Sequence, residues 1–257
     1  VFDQILILTA SFLANAFSAF AGGGAGLLQL PLLIFLGLPF AAALATHKVA
    51  TVFLGVGATL RHLREHTLDR HFILTMLLAG VPGVVIGANL ILFIPDRSAE
   101  IALGILTMGL GVYSLLKPGL GQHTEALHRD RRGLVLGGLV LFIIGILNGS
   151  LTSGTGLFVT LWLIRWFGLE YKRAVAHTLV LVGLFWNGSG ALTLGLQGII
   201  YWPWLPALIA GSLLGGYVGA HWSIVKGNRL IKRAYELVTF AVGLLLILGR
   251  DRVLGLG

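Results

Sequence analysis

The chain has 257 residues, 56% of them hydrophobic and only 11% charged, whereas a soluble domain carries about a quarter charged residues, which argues against a soluble globule. The formal charge is +8, but the Lys and Arg residues stand in short stretches between apolar runs. That placement reads as topology signalling rather than nucleic-acid binding, and the lack of cysteine excludes disulfides and thiolate metal sites.

Apolar runs of about 18 or more residues cross a hydrocarbon core of ~30 Å, and such runs dominate this chain. Helical segments are predicted over residues 4–21, 25–37, 40–60, 72–93 and 97–116, then 133–151, 156–168, 171–195, 203–223 and 229–249. No stretch alternates as a barrel strand would. The first run, Ile5 to Phe20, follows Asp3 rather than a basic region and meets no small-residue cleavage site, so it reads as a mature helix and not a signal peptide.

A polar linker, Lys117 to Arg132, divides the chain. On either side of it the same features recur in the same order. Gly24-Ala25-Gly26 matches Gly154-Thr155-Gly156, Leu36-Gly37-Leu38-Pro39 lies against Trp166-Phe167-Gly168-Leu169 or, one step over, Phe167-Gly168-Leu169-Glu170, and Ala79-Gly80 with Gly87-Ala88 matches Ala210-Gly211 with Gly219-Ala220. The expected division is a first transmembrane repeat over 1–116, a cytoplasmic linker over 117–132 and a second repeat over 133–257.

Loop charge then sets orientation. The linker carries Lys117, Arg129, Arg131 and Arg132, and the loops 61–71, 165–173 and 224–233 are also rich in Lys and Arg. The opposite loops hold only Arg97, with Arg250 and Arg252 in the C-terminal tail. Basic loops stay cytoplasmic. Loop 61–71 is basic while its counterpart 196–202 is uncharged, so corresponding loops are expected on opposite sides. The fold class is therefore an all-α polytopic membrane protein of two inverted repeats, about five helical segments in each.

One segment per repeat is too short to cross. Residues 25–37 and 156–168 follow Gly22-Gly23-Gly24 and Thr152-Ser153-Gly154, and paired, glycine-interrupted short segments point to a transporter's binding site at the midplane. Helix N-termini leave backbone N–H groups unpaired and carry partial positive charge, so two such ends would suit an anion. Lys48 is the only Lys or Arg deep within an apolar span, where its charge costs several kcal/mol (~2.5–3.5 by insertion scales). Thr46-His47 precedes it, and His177-Thr178 holds the matching place in the second half in reversed order. Successive helix side chains lie ~100° apart, so His47 and Lys48 are not expected to face one ligand together. The candidate binding residues are Gly23, Gly24, Ala25, Gly26, Gln29, Thr46, His47, Lys48, Asn148, Ser150, Thr152, Ser153, Gly154, Thr155, Gly156, His177, Thr178 and Asn187. Glu236, one turn from Lys232, reads as a structural ion pair. Tyr201-Trp202-Pro203-Trp204 suits a membrane interface.

The sequence resembles the TauE/SafE family of bacterial sulfite and organosulfonate exporters. The likeness rests on Gly22-Gly23-Gly24-Ala25-Gly26, Pro31, Gly37-Leu38-Pro39, Ala43-Leu44-Ala45-Thr46 and Arg61-His62-Leu63-Arg64, echoed by Asn148-Gly149-Ser150 through Gly156. It implies movement of sulfite, sulfonates or related anions across the cytoplasmic membrane, coupled to an ion gradient. The expectation is thus a multi-pass inner-membrane secondary transporter, not an enzyme, with a small anionic substrate, the bilayer and a coupling ion (H+ or Na+) as partners, and with no cofactor and no nucleic acid. A passive anion channel is the alternative, and an intramembrane enzyme the runner-up from another class.

Overall fold

The computed structural model describes residues 2–62, 65, 68–90, 96–152 and 154–248. Every regular element among them is helical. In chain order they are α1 (Phe2–Ala21), α2 (Ala25–Phe35), α3 (Phe40–His62), α4 (Arg70–Leu90), α5 (Asp96–Leu116), α6 (Arg131–Ser150), α7 (Thr155–Phe167) and α8 (Tyr171–His177). A π-helical segment (Thr178–Trp186), α9 (Asn187–Gly195), a short turn (Trp202–Trp204), α10 (Leu205–Lys226) and α11 (Asn228–Leu248) complete the chain. Six of these stretches are long and apolar enough to cross a membrane: those within 4–21, 40–62, 72–90, 131–150, 171–195 and 202–226. The chain is an all-α polytopic membrane protein, as expected.

Apolar helices gain nothing from leaving water once they are in lipid, so close packing of small residues holds them together. Gly211, Gly215 and Gly219 recur at one-turn spacing on α10, and each lies directly against the backbone of α1 at Leu8, Phe12 and Ala16. Across the bundle, Gly83 and Gly87 of α4 mesh with Gly145 and Gly149 of α6 in the same manner. A methyl group at any of these positions would collide with the facing backbone. Each half thus contributes its opening helix to a glycine-lined contact with the other half.

Contacts along the helices give their directions. α1 and α10 run parallel, since Gln4 Nε2 donates to Pro203 O at their starts (3.1 Å) and Gly219 meets Ala16 and Ala19 near their ends. α3 runs with α10, Gly216 lying on Leu54 and Arg61 Nε reaching His221 Nδ1 at 3.1 Å. The stretch from α8 to α9 runs against α3, because Gly183 packs on Gly55 and Gly190 on Lys48. α4 follows α8–α9, with Asp69 N donating to His177 Nε2 at 2.8 Å and Trp186 Nε1 to Met76 O at 3.0 Å.

The basic loops gather at one end. There Tyr171 N donates to Gly121 O and Glu125 N to Gly168 O, both at 2.8 Å, and Asn228 Nδ2 donates to Gln122 O (3.1 Å) and Glu170 Oε2 (3.0 Å). The Lys232–Glu236 ion pair is also present. At the other end Tyr201 N donates to Thr46 Oγ1 (2.9 Å), close to the aromatic turn. One element was not expected: residues 171–195 read as one regular helix, yet the middle third is wound as a π-helix.

Candidate functional site

The two short helices behave as their glycine-rich starts predict. α2 has 11 residues and α7 has 13, about 16 and 20 Å at 1.5 Å per residue, which is short of a ~30 Å core. Both are preceded by a left-handed glycine, Gly24 at φ 105° and Gly154 at φ 74°, and neither has a side-chain cap. Gln29 of α2 bonds His47 of α3, which sets the start of α2 level with Thr51, midway along α3. Thr160 of α7 bonds Thr178 (2.9 Å), which sets the start of α7 near Gly183, midway along residues 171–195.

The two breaks touch. Thr160 Oγ1 donates to Gly22 O at 2.6 Å, and Gly23 faces the Gly156–Leu157 peptide so closely that a Cβ would sit 2.6 Å from it. Gly22, Gly23 and Gly24 all have positive φ, a conformation that glycine adopts without a steric penalty. Thr152 pays that penalty at φ 59°, a sparsely populated region for a β-branched residue.

Between the breaks lies a cavity of about 50 Å³, room for a few waters or one compact polyatomic group. Its walls come from both halves: Gly23, Gly24, Ala25, Gly26, His47 and Thr51 from the first, and Asn148, Thr152, Thr155, Gly156, Thr178 and Asn187 from the second. Leu179, Val182 and Gly183 of the π segment close one side, the wider winding letting Gly183 sit directly on Gly55. π windings inside helices are frequent at functional sites. No carboxylate lines this cavity among the described residues. Larger clefts at the basic end are lined by the linker with α7 or α11, away from the contact between the breaks.

Side chains around the cavity are tied into place. Lys48, fully buried, donates from Nζ to Asn148 O at 2.8 Å and approaches Asn148 Oδ1 at 3.3 Å. Asn148 Nδ2 in turn donates to Thr155 Oγ1 (2.8 Å), and Thr152 Oγ1 donates to Asn148 O (2.9 Å). A lysine on α3 of the first half is thereby pinned to the break of the second. His47 Nδ1 lies 2.7 Å from Gln29 Oε1.

The profile of the family described as sulfite exporter TauE/SafE matches residues 7–246. The chain belongs to this family. Among similar proteins, a "probable membrane transporter protein" of Haemophilus influenzae is 30% identical over 236 residues, covering 91% of each chain. One from a Sinorhizobium species, ORF9, is 28% identical over 242 residues, covering 94% of this chain and 91% of its own. YfcA of Escherichia coli K12, named in the same words, is 29% identical over 238 residues, covering 89% and 84%. No solved structure matches. Relatives of this TauE/SafE chain thus carry the names of membrane transporters rather than of enzymes.

Of the candidates named from sequence, eleven border the cavity: Gly23, Gly24, Ala25, Gly26, His47, Asn148, Thr152, Thr155, Gly156, Thr178 and Asn187. Gln29 and Lys48 stand behind it, holding His47 and Asn148. Four do not border it. Thr46 turns to Tyr201 N, Ser150 back-bonds to Ile146 O, Gly154 shapes the cap, and His177 is held by Asp69 N and Arg173 O. Ser153 lies outside the described residues. The reversed Thr/His order has a consequence: in each pair the second member, His47 or Thr178, faces the cavity, and the first turns away. Sequence reasoning missed Ser18 and Thr51, which also line it.

Proposed function

We propose that this chain is a secondary transporter moving a small sulfur-containing anion, sulfite or an organosulfonate, across the cytoplasmic membrane. The observation that carries this reading is the cavity itself. Two helix N-termini open onto one small space, a buried lysine stands behind it, and no carboxylate borders it among the described residues. Ala25 N and Gly26 N have no protein hydrogen-bond partner among the described residues, so donors and positive potential both converge where an anion would sit. The family's description, sulfite exporter, supports the choice of substrate class.

The same reading makes the halves inverted repeats. Its support is that counterpart helices run oppositely, α3 against α8–α9, and that equivalent glycine contacts join α1 to α10 and α6 to α4. Alternating access would then rock one half against the other around the fixed break-to-break contact. The basic end would face the cytoplasm.

Purified protein should be melted with sulfite, thiosulfate, sulfate, taurine, methanesulfonate and simple carboxylates side by side. Binding raises the melting temperature by mass action, and sulfur anions should do so more than carboxylates. Counterflow in proteoliposomes separates a carrier from a passive channel, since only a carrier speeds entry of labelled anion when unlabelled anion is loaded on the opposite side. A panel in which no sulfur anion stabilises the protein would overturn the reading.

A further inference from the structure

A directed chain of hydrogen bonds ends at the cavity. Leu208 O can only accept, so the Ser11 hydroxyl donates to it at 2.9 Å. With its hydrogen committed, Ser11 Oγ accepts from Gln29 Nε2 at 2.8 Å. A flipped Gln29 amide would turn Oε1 to Ser11 Oγ, which has no hydrogen to give, and leave only the Ser212 hydroxyl, at 3.5 Å, to donate to it. Gln29 Oε1 is therefore turned to His47, and His47 Nδ1 must be the donor across 2.7 Å. All three side chains are buried and sit on three helices, α1, α2 and α3. The tautomer of His47 is thus imposed from outside the ring. Its Nε2, with no hydrogen-bond partner among the described residues, is the atom free to serve the cavity that His47 borders.

We propose that His47 carries a proton that travels with the anion, bound at Nε2. The proposal rests on the anion-site reading above and names its coupling ion. With Nδ1–H locked onto Gln29, a neutral His47 presents a lone pair to the cavity, and a lone pair repels an anion. Taking a proton from water at that nitrogen turns the same atom into a donor. The two events repay each other, because the proton supplies a donor and the anion offsets a second buried cation beside Lys48. Linkage then requires each to tighten the other.

A charge on His47 is costly with no anion bound, since the ring is buried beside Lys48, so it needs the anion to offset it. On its own helix the neighbour that carries charge is Lys48, whose Nζ is held by Asn148. α1, α2, α9, the π segment and the second break bring hydroxyls, amides and apolar groups to the cavity, and no titratable side chain among the described residues. Outside it, His177 has both nitrogens engaged by Asp69 N and Arg173 O, and the Tyr235 hydroxyl donates to Leu157 O. A sodium ion would find no carboxylate there to balance its charge.

Calorimetry with methanesulfonate, whose sulfonate stays ionised across the range, tests this. Titrations in buffers of differing ionisation enthalpy give the protons taken up on binding. The wild type should take up about one proton per anion, with affinity falling about tenfold per pH unit where uptake is complete. His47→Gln keeps a donor amide and should bind with no uptake and no pH dependence. Binding to the wild type without proton uptake overturns the His47 proposal and leaves the anion site standing. Full uptake in His47→Gln overturns it too, and assigns the proton to Lys48. If methanesulfonate and the sulfur oxyanions all fail to bind, the anion reading falls and takes this one with it.

Discussion

Lys48 Nζ lies 2.8 Å from the carbonyl oxygen of Asn148, a hydrogen bond that spans one hundred residues of sequence and joins the two halves at their breaks. The oxygen it meets is not dependent on it, since Thr152 Oγ1 and Thr152 N also donate there, at 2.9 and 3.2 Å. Lys48 thus stands behind the cavity wall, held by Asn148, with no carboxylate hydrogen-bonded to it among the described residues.

Lys48→Met should weaken anion binding about tenfold, because Lys48 supplies positive potential from behind the wall and holds Asn148, which lines the cavity. The fold should hold, because the Asn148 carbonyl keeps its other donors and methionine suits the buried site. Lys48→Arg should recover part of the loss, a planar fork being a poor substitute for a compact ammonium. Binding and melting measured on one preparation decide this: a large fall in melting temperature with unchanged affinity would make Lys48 a packing residue.

Gly23 and Gly37 form a matched test of the break. Both have positive φ, 145° and 100°, so alanine is strained at either. Only Gly23 faces backbone, at 2.6 Å from where its Cβ would be, whereas Gly37 has open space. Gly23→Ala should lose about 1–3 kcal/mol more than Gly37→Ala and lose anion binding, while Gly37→Ala should keep it. Equal effects from the two would mean that contact between the breaks does not matter.

The breaks were legible because runs of glycine in an apolar segment have few other uses, and Lys48 because its charge has no cheap place at that depth. His47 and Thr178 were named, but so were Thr46 and His177, since sequence places neighbours on one helix without saying which faces inward. Ser18 and Thr51 carried no signal of their own: one hydroxyl in an apolar helix usually bonds back to its own turn, and Thr51 does so, to His47 O at 3.0 Å. Ser11, Asn15 and Ser18 share a helix face by their spacing, and that stripe was the available hint of the chain leading to His47. The π winding had no hint, because residues 178–186 are apolar almost throughout and give no period to read.

Orientation can be tested without knowing the substrate. Reporter fusions should place 61–71, 117–132 and 165–173 on the cytoplasmic side and 196–202 on the opposite side, as Lys and Arg bias requires. The structure already groups the first three by direct contacts, such as Lys172 Nζ to Glu65 Oε2 at 4.0 Å. Finding 61–71 and 196–202 on one side would contradict both the grouping and the inverted repeats.

Among the described residues Glu236 is the buried acid, and its surroundings assign it to structure. It pairs with Lys232 one turn away, and Ser114 Oγ donates to it at 3.0 Å. Lys232 Nζ also donates to Ser114 O at 2.8 Å, and Tyr171 OH lies 3.0 Å from Ser114 Oγ. The group ties α11 to α5 and to the start of α8, outside the ring of residues around the break-to-break cavity. Removing one charge leaves the other buried and uncompensated, so Glu236→Leu or Lys232→Met alone should each cost about 3 kcal/mol or more. The double variant should be more stable than either single one, because two apolar groups restore a consistent core. Anion affinity and proton uptake should be unchanged in that double variant. Loss of proton uptake with a folded protein would instead make Glu236 part of the proton path and displace His47 from that role.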